Sequence, residues 1–285
     1  MKVNLETKNI MNTNVIANYS KLKLSLFLIP LFFLTAIVLF LYSQDALSVV
    51  KYVEIQKNCF IFLNSKLSQF PNIIYNLTQV GDALIFLSFL TIFIVYAPKI
   101  WEALLSGSLV SAIFSNVLKN FFSVPRPAEA FDHNSFVIIG RTMPGFSSLP
   151  SGHSITVFTI LTVLLFAFLS KKLHYKILWI LFIISIGLIL VFTRVGVGAH
   201  YPLDVITGSI IGVISGLLGI FISRKYKIWN WINNKKYYPI FIVLLLVCSG
   251  IVIDRIITMN LIIFYLTLLS LIVSLYKIIY VYVKK

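Results

Sequence analysis

Charge is what this 285-residue chain has least of: Asp, Glu, Lys and Arg together make up 12% of it, roughly half the share of a soluble globular domain. Hydrophobic residues make up 59% and are laid out in long, nearly unbroken runs. This combination excludes a water-soluble core and predicts a polytopic membrane protein. Cysteine is also scarce. Cys59 and Cys248 have neither metal-type nor disulfide-type spacing and read as free thiols. The four histidines form no ligand cluster with them, so no metal and no other cofactor is expected. Acidic residues number only nine, which leaves a net charge of +15. The basic residues do not form a stripe on a polar surface. They fall between apolar spans, as the positive-inside rule arranges them, which argues against nucleic acid as a partner.

Apolar runs of about 20 residues, the length that crosses the hydrocarbon, predict spans at 22–42, 80–97, 101–122, 154–170, 175–193, 202–223, 238–254 and 259–281. The expected fold class is all-α: a helical membrane bundle with a six-helix core and two further C-terminal spans. Three regions follow: a polar N-terminal tail at 1–21, a core at 22–225, and a transmembrane hairpin at 226–285. The first span is expected to be an uncleaved anchor, since it is long and no small-residue cleavage site follows it. Most of the 24 basic residues, from Lys2 and Lys8 in the tail through Lys171 and Lys172 to Lys284 and Lys285, fall on one side when the N-terminus is placed inside. Residues 44–79 mix Val49, Val50, Val53 and Phe60 with Lys51, Lys57 and Lys66, a pattern that suits an amphipathic helix lying along the outer leaflet.

Against this apolar background three polar islands stand out, all on the outer side by the same count. Lys119 and Arg126 are separated by seven residues, two helical turns, so they are expected to share a face. Pro125 and Pro127 bracket Arg126 and should end the helix there. A guanidinium fork and an ammonium suit phosphate oxygens, although a snorkelling interfacial pair would account equally for these two residues alone. Pro150-Ser151-Gly152-His153 opens the fourth span. A helix start presents free amides and a positive dipole to an anion, and His153 carries a proton that titrates near neutrality. A structural histidine at a helix start is the competing reading. In the third island Arg194 precedes His200 across Gly196-Val-Gly198, and Pro202 opens the next span with Asp204 in its first turn. The His200–Asp204 spacing lets the carboxylate accept from one imidazole nitrogen and leaves the other free to attack.

Lys-x6-Arg-Pro, Pro-Ser-Gly-His and Thr-Arg-x5-His-x3-Asp, in this order, resemble the three signatures of the type 2 phosphatidic acid phosphatase superfamily. Lys119, Arg126, Pro127, Pro150, Ser151, Gly152, His153, Arg194, His200 and Asp204 all match. Thr193 stands where that family usually has serine. The resemblance covers residues 22–223 and leaves out the last 60 or so. It implies a metal-independent phosphatase acting on a phosphorylated membrane lipid through a phosphohistidine. His200 would attack, Asp204 would orient it, and His153 would protonate the leaving oxygen. Lys119, Arg126, Ser151, Gly152 and Arg194 would bind the phosphate. The site would lie on the extracytoplasmic (periplasmic) face of the cytoplasmic, inner membrane.

The connector 128–149 should overhang this site, with Glu129, Asp132, His133 and Arg141 as candidates for head-group contacts. The Lys-, Ile-, Asn- and Phe-rich composition suggests an AT-rich bacterial genome and hence an envelope lipid. The candidates are undecaprenyl diphosphate, a lipid A phosphate or a glycerophospholipid phosphate. A lipid-to-lipid phosphotransferase using the same residues stays open. A transporter is disfavoured because the charges gather at one membrane face without repeat symmetry. A vanadium haloperoxidase would share the anion-binding signatures but is largely soluble, and a non-catalytic lipid-binding relative would be expected to have lost His153, His200 or Asp204.

Overall fold

A computed structural model describes residues 3–284. Met1, Lys2 and Lys285 lie outside the described residues, so the part Lys2 and Lys285 play in the charge count has no structural counterpart here. Only the backbone path is described for residues 3–9. Among the described residues the chain is helical throughout, with no strand. The helices are α1 (Val3–Ser20), α2 (Leu28–Ser43), α3 (Val49–Leu67), α4 (Pro71–Gln79), α5 (Ala83–Phe89), α6 (Phe93–Tyr96) and α7 (Pro98–Phe122). They continue as α8 (Pro127–Ala130), α9 (Gly152–Ala167), α10 (Leu173–Gly196), α11 (Pro202–Lys225), α12 (Tyr238–Met259) and α13 (Ile262–Val283).

Six segments are long and apolar enough to cross a membrane; they contain α2, α7, α10, α11, α12 and α13. The other two expected spans take different forms. The run 80–97 is not one helix but α5 and α6 joined by a turn. Backbone groups freed by such a break must find partners in an apolar setting, and here they do. The Trp101 indole donates to the Leu90 carbonyl at 2.9 Å, and the Thr91 hydroxyl donates to the Ser88 carbonyl at 2.8 Å. The second irregular span, α9, has 16 residues, about 24 Å at 1.5 Å per residue, short of a ~30 Å hydrocarbon layer. Helix α1 meets its far end. Asn18 donates to the carbonyls of Ala167 and Leu169, and the buried Tyr19 hydroxyl donates to Val163. The N-terminal segment, expected as a polar tail, is therefore helical and packed against the bundle.

Helix α11 is the centre of the bundle, packed on α9 and α7. Its glycines at 208, 212, 216 and 219 fall three or four apart, the small-residue spacing that lets helices in membranes approach closely. At Gly208 a Cβ would stand 2.7 Å from the Ser151 carbonyl oxygen. Glycine there brings the start of α9 against the first turn of α11.

The segment 44–79 folds as α3 and α4, and the amphipathic stripe of α3 faces protein. Tyr52, Gln56, Phe60 and Asn64 are buried along one side, against α10 and α11. Asn64 donates to the carbonyls of Val137, Val195 and Gly196 and accepts from the Val137 amide, tying α3 to the end of α10 and to the connector. Gln56 accepts from the Leu203 amide at 2.8 Å, fixing the start of α11. The last two helices pack on each other, and α13 also rests on α4 and α5. Arg255 of α12 pairs with Asp82 at 3.0 Å.

Candidate active site

At one end of the bundle the C-terminal ends of α7 and α10 meet the N-terminal ends of α9 and α11, and the three islands converge there. Helix α7 stops earlier than the Lys119–Arg126 spacing predicts. Ser123 caps it with φ 45°, and Pro125 disfavours helical conformation at Val124. Residues 123–126 are therefore non-helical. Arg126 reaches the site from an extended backbone, not from the helical face it was expected to share with Lys119. Its guanidinium is held by Ser147 Oγ at 3.3 Å and Met143 Sδ at 3.3 Å, and its amide donates to the Gly145 carbonyl.

Lys119 lies over the start of α9. A Cβ at position 152 would stand 3.3 Å from Lys119 Nζ, so glycine at this helix start leaves room for the ammonium. Ser151 caps α9 by accepting from the Ser154 amide. Its own amide donates to the Asp204 carbonyl at 3.1 Å. That corrects the expectation that both the Ser151 and Gly152 amides face an anion. The Ser151 amide is committed to joining α9 to α11, and the first-turn N–H groups of Gly152 and His153 are the ones without intrahelical partners. The half-buried His153 packs its ring against Gly81, where a Cβ would stand 2.7 Å from its Cδ2. It lies within electrostatic reach of Arg194, His200, Lys119 and Arg126.

Arg194 is 4% exposed, near the end of α10. Its Nη1 donates to Thr78 Oγ1 of α4 at 2.9 Å, and Nη2 lies 3.8 Å from Met143 Sδ. Its Nε is buried without a partner. The Thr193 hydroxyl bonds the Leu190 carbonyl within its own helix. After α10, Gly198 adopts φ 78°, the left-handed region that glycine enters without steric cost, and the Ala199 amide returns to the Arg194 carbonyl at 3.0 Å. This turn folds His200 back toward Arg194.

The His200–Asp204 pair differs from the direct hydrogen bond that the spacing suggests. His200 Nδ1 and Asp204 Oδ2 stand 3.6 Å apart, both buried. The acceptor capacity of Asp204 is taken by other donors. Tyr52 of α3 donates to Oδ1 at 2.7 Å, Ser148 donates to Oδ2 at 2.5 Å, and the Tyr201 amide donates to Oδ2 at 3.0 Å. Ser148 Oγ also lies 3.5 Å from His200 Nδ1, between the two side chains. Hydrogen bonds of this kind are often long in unliganded enzymes. His200 lies in the connector between α10 and α11, outside the spans. Burial first, then the charges of Arg126, Arg194 and Lys119, push its pKa well below the usual histidine value. Its imidazole is thus neutral at pH 7. Lys119, Arg126 and Arg194 face the single carboxylate of Asp204, an excess of two positive charges that matches a phosphate dianion in magnitude.

Sequence reasoning missed Tyr52, Thr78, Met143 and Ser148. Ser148 alone had a local signal, being two residues before Pro150. Tyr52 and Thr78 come from the segment read as lying in the outer leaflet. Among the head-group candidates, Glu129 accepts from the Gly145 amide, Asp132 caps the Asn134 amide, and His133 Nε2 meets the Ala128 carbonyl at 2.8 Å. These three shape the connector rather than point into the site, and Arg141 is exposed.

An all-helical membrane bundle with an anion-shaped cluster of cations and a buried histidine at one end defines the class of this protein. Residues 100–229 match the PAP2 superfamily. The chain is also similar to known proteins. It is 34% identical over 151 residues to a Lipid A 1-phosphatase of Rhizobium etli, covering 50% of this chain and 62% of the relative. A Lipid A 1-phosphatase of Rhizobium johnstonii is 34% identical over 131 residues, covering 46% of this chain and 50% of the relative. The Bacitracin transport permease protein BcrC of Bacillus licheniformis is 29% identical over 119 residues, covering 42% of this chain and 49% of the relative. The chain thus spans between about half and three fifths of the length of these relatives. The crystal structure of Aquifex aeolicus LpxE superposes with a TM-score of 0.47 and 26% identity, over 60% of this chain and 96% of that one.

Proposed function

We propose that this protein is a membrane lipid phosphatase that releases phosphate from an envelope lipid through a phosphohistidine on His200. The observation that carries this reading is a buried His200 backed by Asp204 and faced by Lys119, Arg126 and Arg194 at one end of the bundle. Met143 Sδ sits between the two guanidinium groups. Thioether sulfur is a weak acceptor, so phosphate oxygens displace it, and the unpartnered Arg194 Nε gains an acceptor at the same time.

With phosphate seated, His200 Nε2 attacks phosphorus and the bond to the lipid oxygen breaks. His153, able to hold a proton once the phosphate dianion offsets the cations beside it, gives that oxygen its proton. Asp204 supports the positive charge that develops on the imidazole, while the three cations and the α9 amides hold the equatorial oxygens. Water then attacks the phosphoenzyme and passes a proton to His153. The P–N bond breaks, and inorganic phosphate leaves. No step draws on a metal or cofactor. The identities with two Lipid A 1-phosphatases favour a lipid A phosphate as substrate, ahead of undecaprenyl diphosphate or a glycerophospholipid phosphate. The positive-inside distribution of the basic residues supports a site on the extracytoplasmic face of the cytoplasmic membrane, with residues 22–225 as the catalytic core and 226–285 as an added hairpin.

The test is phosphate release by the purified, detergent-solubilised protein across these three lipid classes, in the presence of a chelator. Release from none of them would overturn the reading. Release that appears only when an acceptor lipid is added would make the protein a phosphotransferase.

Two further results are expected. Titration of the His200 imidazole, followed by its 15N shifts in the free protein, should show a midpoint below 6.5. The depressed pKa keeps the attacking nitrogen unprotonated at neutral pH, and activity is lost as pH falls through that lower value. A midpoint at or above 6.5 would contradict this arrangement. Tyr52→Phe removes one of three hydrogen bonds to the Asp204 carboxylate, each worth about 1.5–3 kcal/mol to a charged acceptor. It should lower kcat about tenfold or more with KM little changed and move the His200 titration upward, because a less satisfied carboxylate favours the imidazolium. A structural defect alone would leave that titration in place.

A further inference from the structure

Two clefts flank α7 and both end at the phosphate-type site, but their linings differ. One, of 310 Å³, lies between α7 and α9 and is lined by Ser108, Ser111, Ser115, Thr156 and Thr159, reaching Gly152. The other, of 430 Å³, lies among α2, α7 and α11 and is almost wholly apolar, within the usual range for ligand pockets. Leu34 and Ile37 of α2, Phe114 and Leu118 of α7, and Ile211 and Ile214 of α11 form its walls.

The rim of the apolar groove is built from neighbours of the site. Leu149 precedes Pro150 and Ser151, Val124 lies two residues before Arg126, and Leu118 adjoins Lys119. Tyr52 is a wall of the groove and holds Asp204 through its hydroxyl. From Asp204, α11 runs ten residues to Ile214, about 15 Å at 1.5 Å per residue, or half of a ~30 Å hydrocarbon layer. The groove therefore descends from the phosphate position through one leaflet. A lipid whose phosphate is held by Lys119, Arg126 and Arg194 must lead the rest of its molecule away from them, and the apolar cleft is the exit that matches a hydrocarbon.

We propose that this groove seats the hydrocarbon chain of the substrate lipid. The proposal rests on the lipid phosphatase reading and extends it to residues that this reading leaves unassigned. Three of the elements that line the groove, α2, the 46–47 turn and α3, precede residues 100–229, the segment that matches the family. Because Tyr52 both lines the groove and donates to Asp204, an occupied groove directly contacts a residue that holds Asp204.

The experiment compares a long-chain alkyl phosphate in mixed micelles with phenyl phosphate, which has no chain, in the wild type and in Ile37→Trp and Ile214→Trp. Both positions lie away from the phosphate-binding residues. Filling the groove should lower kcat/KM for the alkyl phosphate about tenfold or more, mainly through KM, because small volume changes in an apolar pocket are worth factors of this size. Phenyl phosphate turnover should stay within about twofold, as expected when only uniform binding of the chain is lost. Equal loss on both substrates, or no loss on either, would overturn the proposal.

An alkyl phosphate with a terminal diazirine provides a readout independent of turnover and usable on wild-type protein if either variant fails to fold. It should label α2 and α11 residues of the groove. Unlabelled alkyl phosphate should compete, and an alkyl trimethylammonium of equal length should not. Labelling elsewhere, or equal competition by the ammonium amphiphile, would mean that bulk lipid occupies the groove and would overturn the proposal. Specific labelling without phosphate release would count against the hydrolase reading alone. Phosphate release that ignores groove filling would count against the groove alone.

Discussion

His200→Ala is expected to abolish phosphate release, by about 10³-fold or more, since removing a covalent nucleophile leaves only binding and electrostatics to act. The variant should still fold. His200 makes one long contact to Ser148, at 3.5 Å, and one to Asp204, at 3.6 Å. The hydrogen bonds that hold this region, from Ser151 to Asp204, from Leu203 to Gln56 and from Asn64 to α10, do not involve its ring. Size-exclusion behaviour and thermal melting in detergent should therefore stay near wild type while phosphate release is lost. With the nucleophile gone, the cations remain in place, so the variant should still bind orthovanadate or the alkyl phosphate. Near-wild-type turnover would remove the phosphohistidine scheme. Loss of ligand binding together with activity would instead mean that His200 helps to build the site.

Asp204→Asn is expected to cost about 10³–10⁴-fold in kcat, the scale seen when the carboxylate that orients a catalytic histidine is replaced by an amide. The reason here is specific to the geometry. Both oxygens of Asp204 accept from donors: Tyr52 on one side, Ser148 and the Tyr201 amide on the other. Whichever way the asparagine is turned, its NH2 faces at least one group that donates to the wild-type carboxylate. In a fully buried position that conflict costs about 1–3 kcal/mol of stability. Neutralising the only acid of the cluster also leaves Lys119, Arg126 and Arg194 without a counter-charge in the free protein. This variant should thus show both a lower melting temperature and lost activity, where His200→Ala shows the second alone. Adding phosphate should restore part of the lost melting temperature, because an anion that binds only the folded state stabilises it by mass action. Full activity in Asp204→Asn would show that the imidazole needs no carboxylate behind it.

Much of the site was legible because its parts are local. Ser151 as the cap of α9, Pro202 as the first residue of α11, and the glycine turn that returns His200 toward Arg194 are each encoded within a few residues. Reading went wrong where a local rule met a stronger constraint. The seven-residue spacing of Lys119 and Arg126 implied a shared helical face, but Pro125 and the Ser123 cap end α7 first. The run 80–97 is apolar enough for one span, yet it breaks after α5, and the indole of Trp101 and the hydroxyl of Thr91 satisfy the break. The four-residue spacing of His200 and Asp204 implied a direct bond, but Ser148 inserts between them.

By itself, then, the sequence determined the class of solvent and the class of chemistry. A chain with 12% charged residues in long apolar runs must lie in a bilayer, and the charges it retains there gather into three phosphate-type islands. What only the tertiary structure decided is which groups stand behind them. Tyr52 meets Asp204 across 152 residues of sequence, and Thr78 meets Arg194 across 116. Met143 lies between two guanidinium groups that come from different elements, and the apolar groove exists only because α2, α3, α7 and α11 leave space between them. Periodicity and capping act over one or two turns of helix. Contacts at that sequence distance depend on how whole helices pack, and in α3 the pattern that fits a lipid surface fits a protein surface equally well.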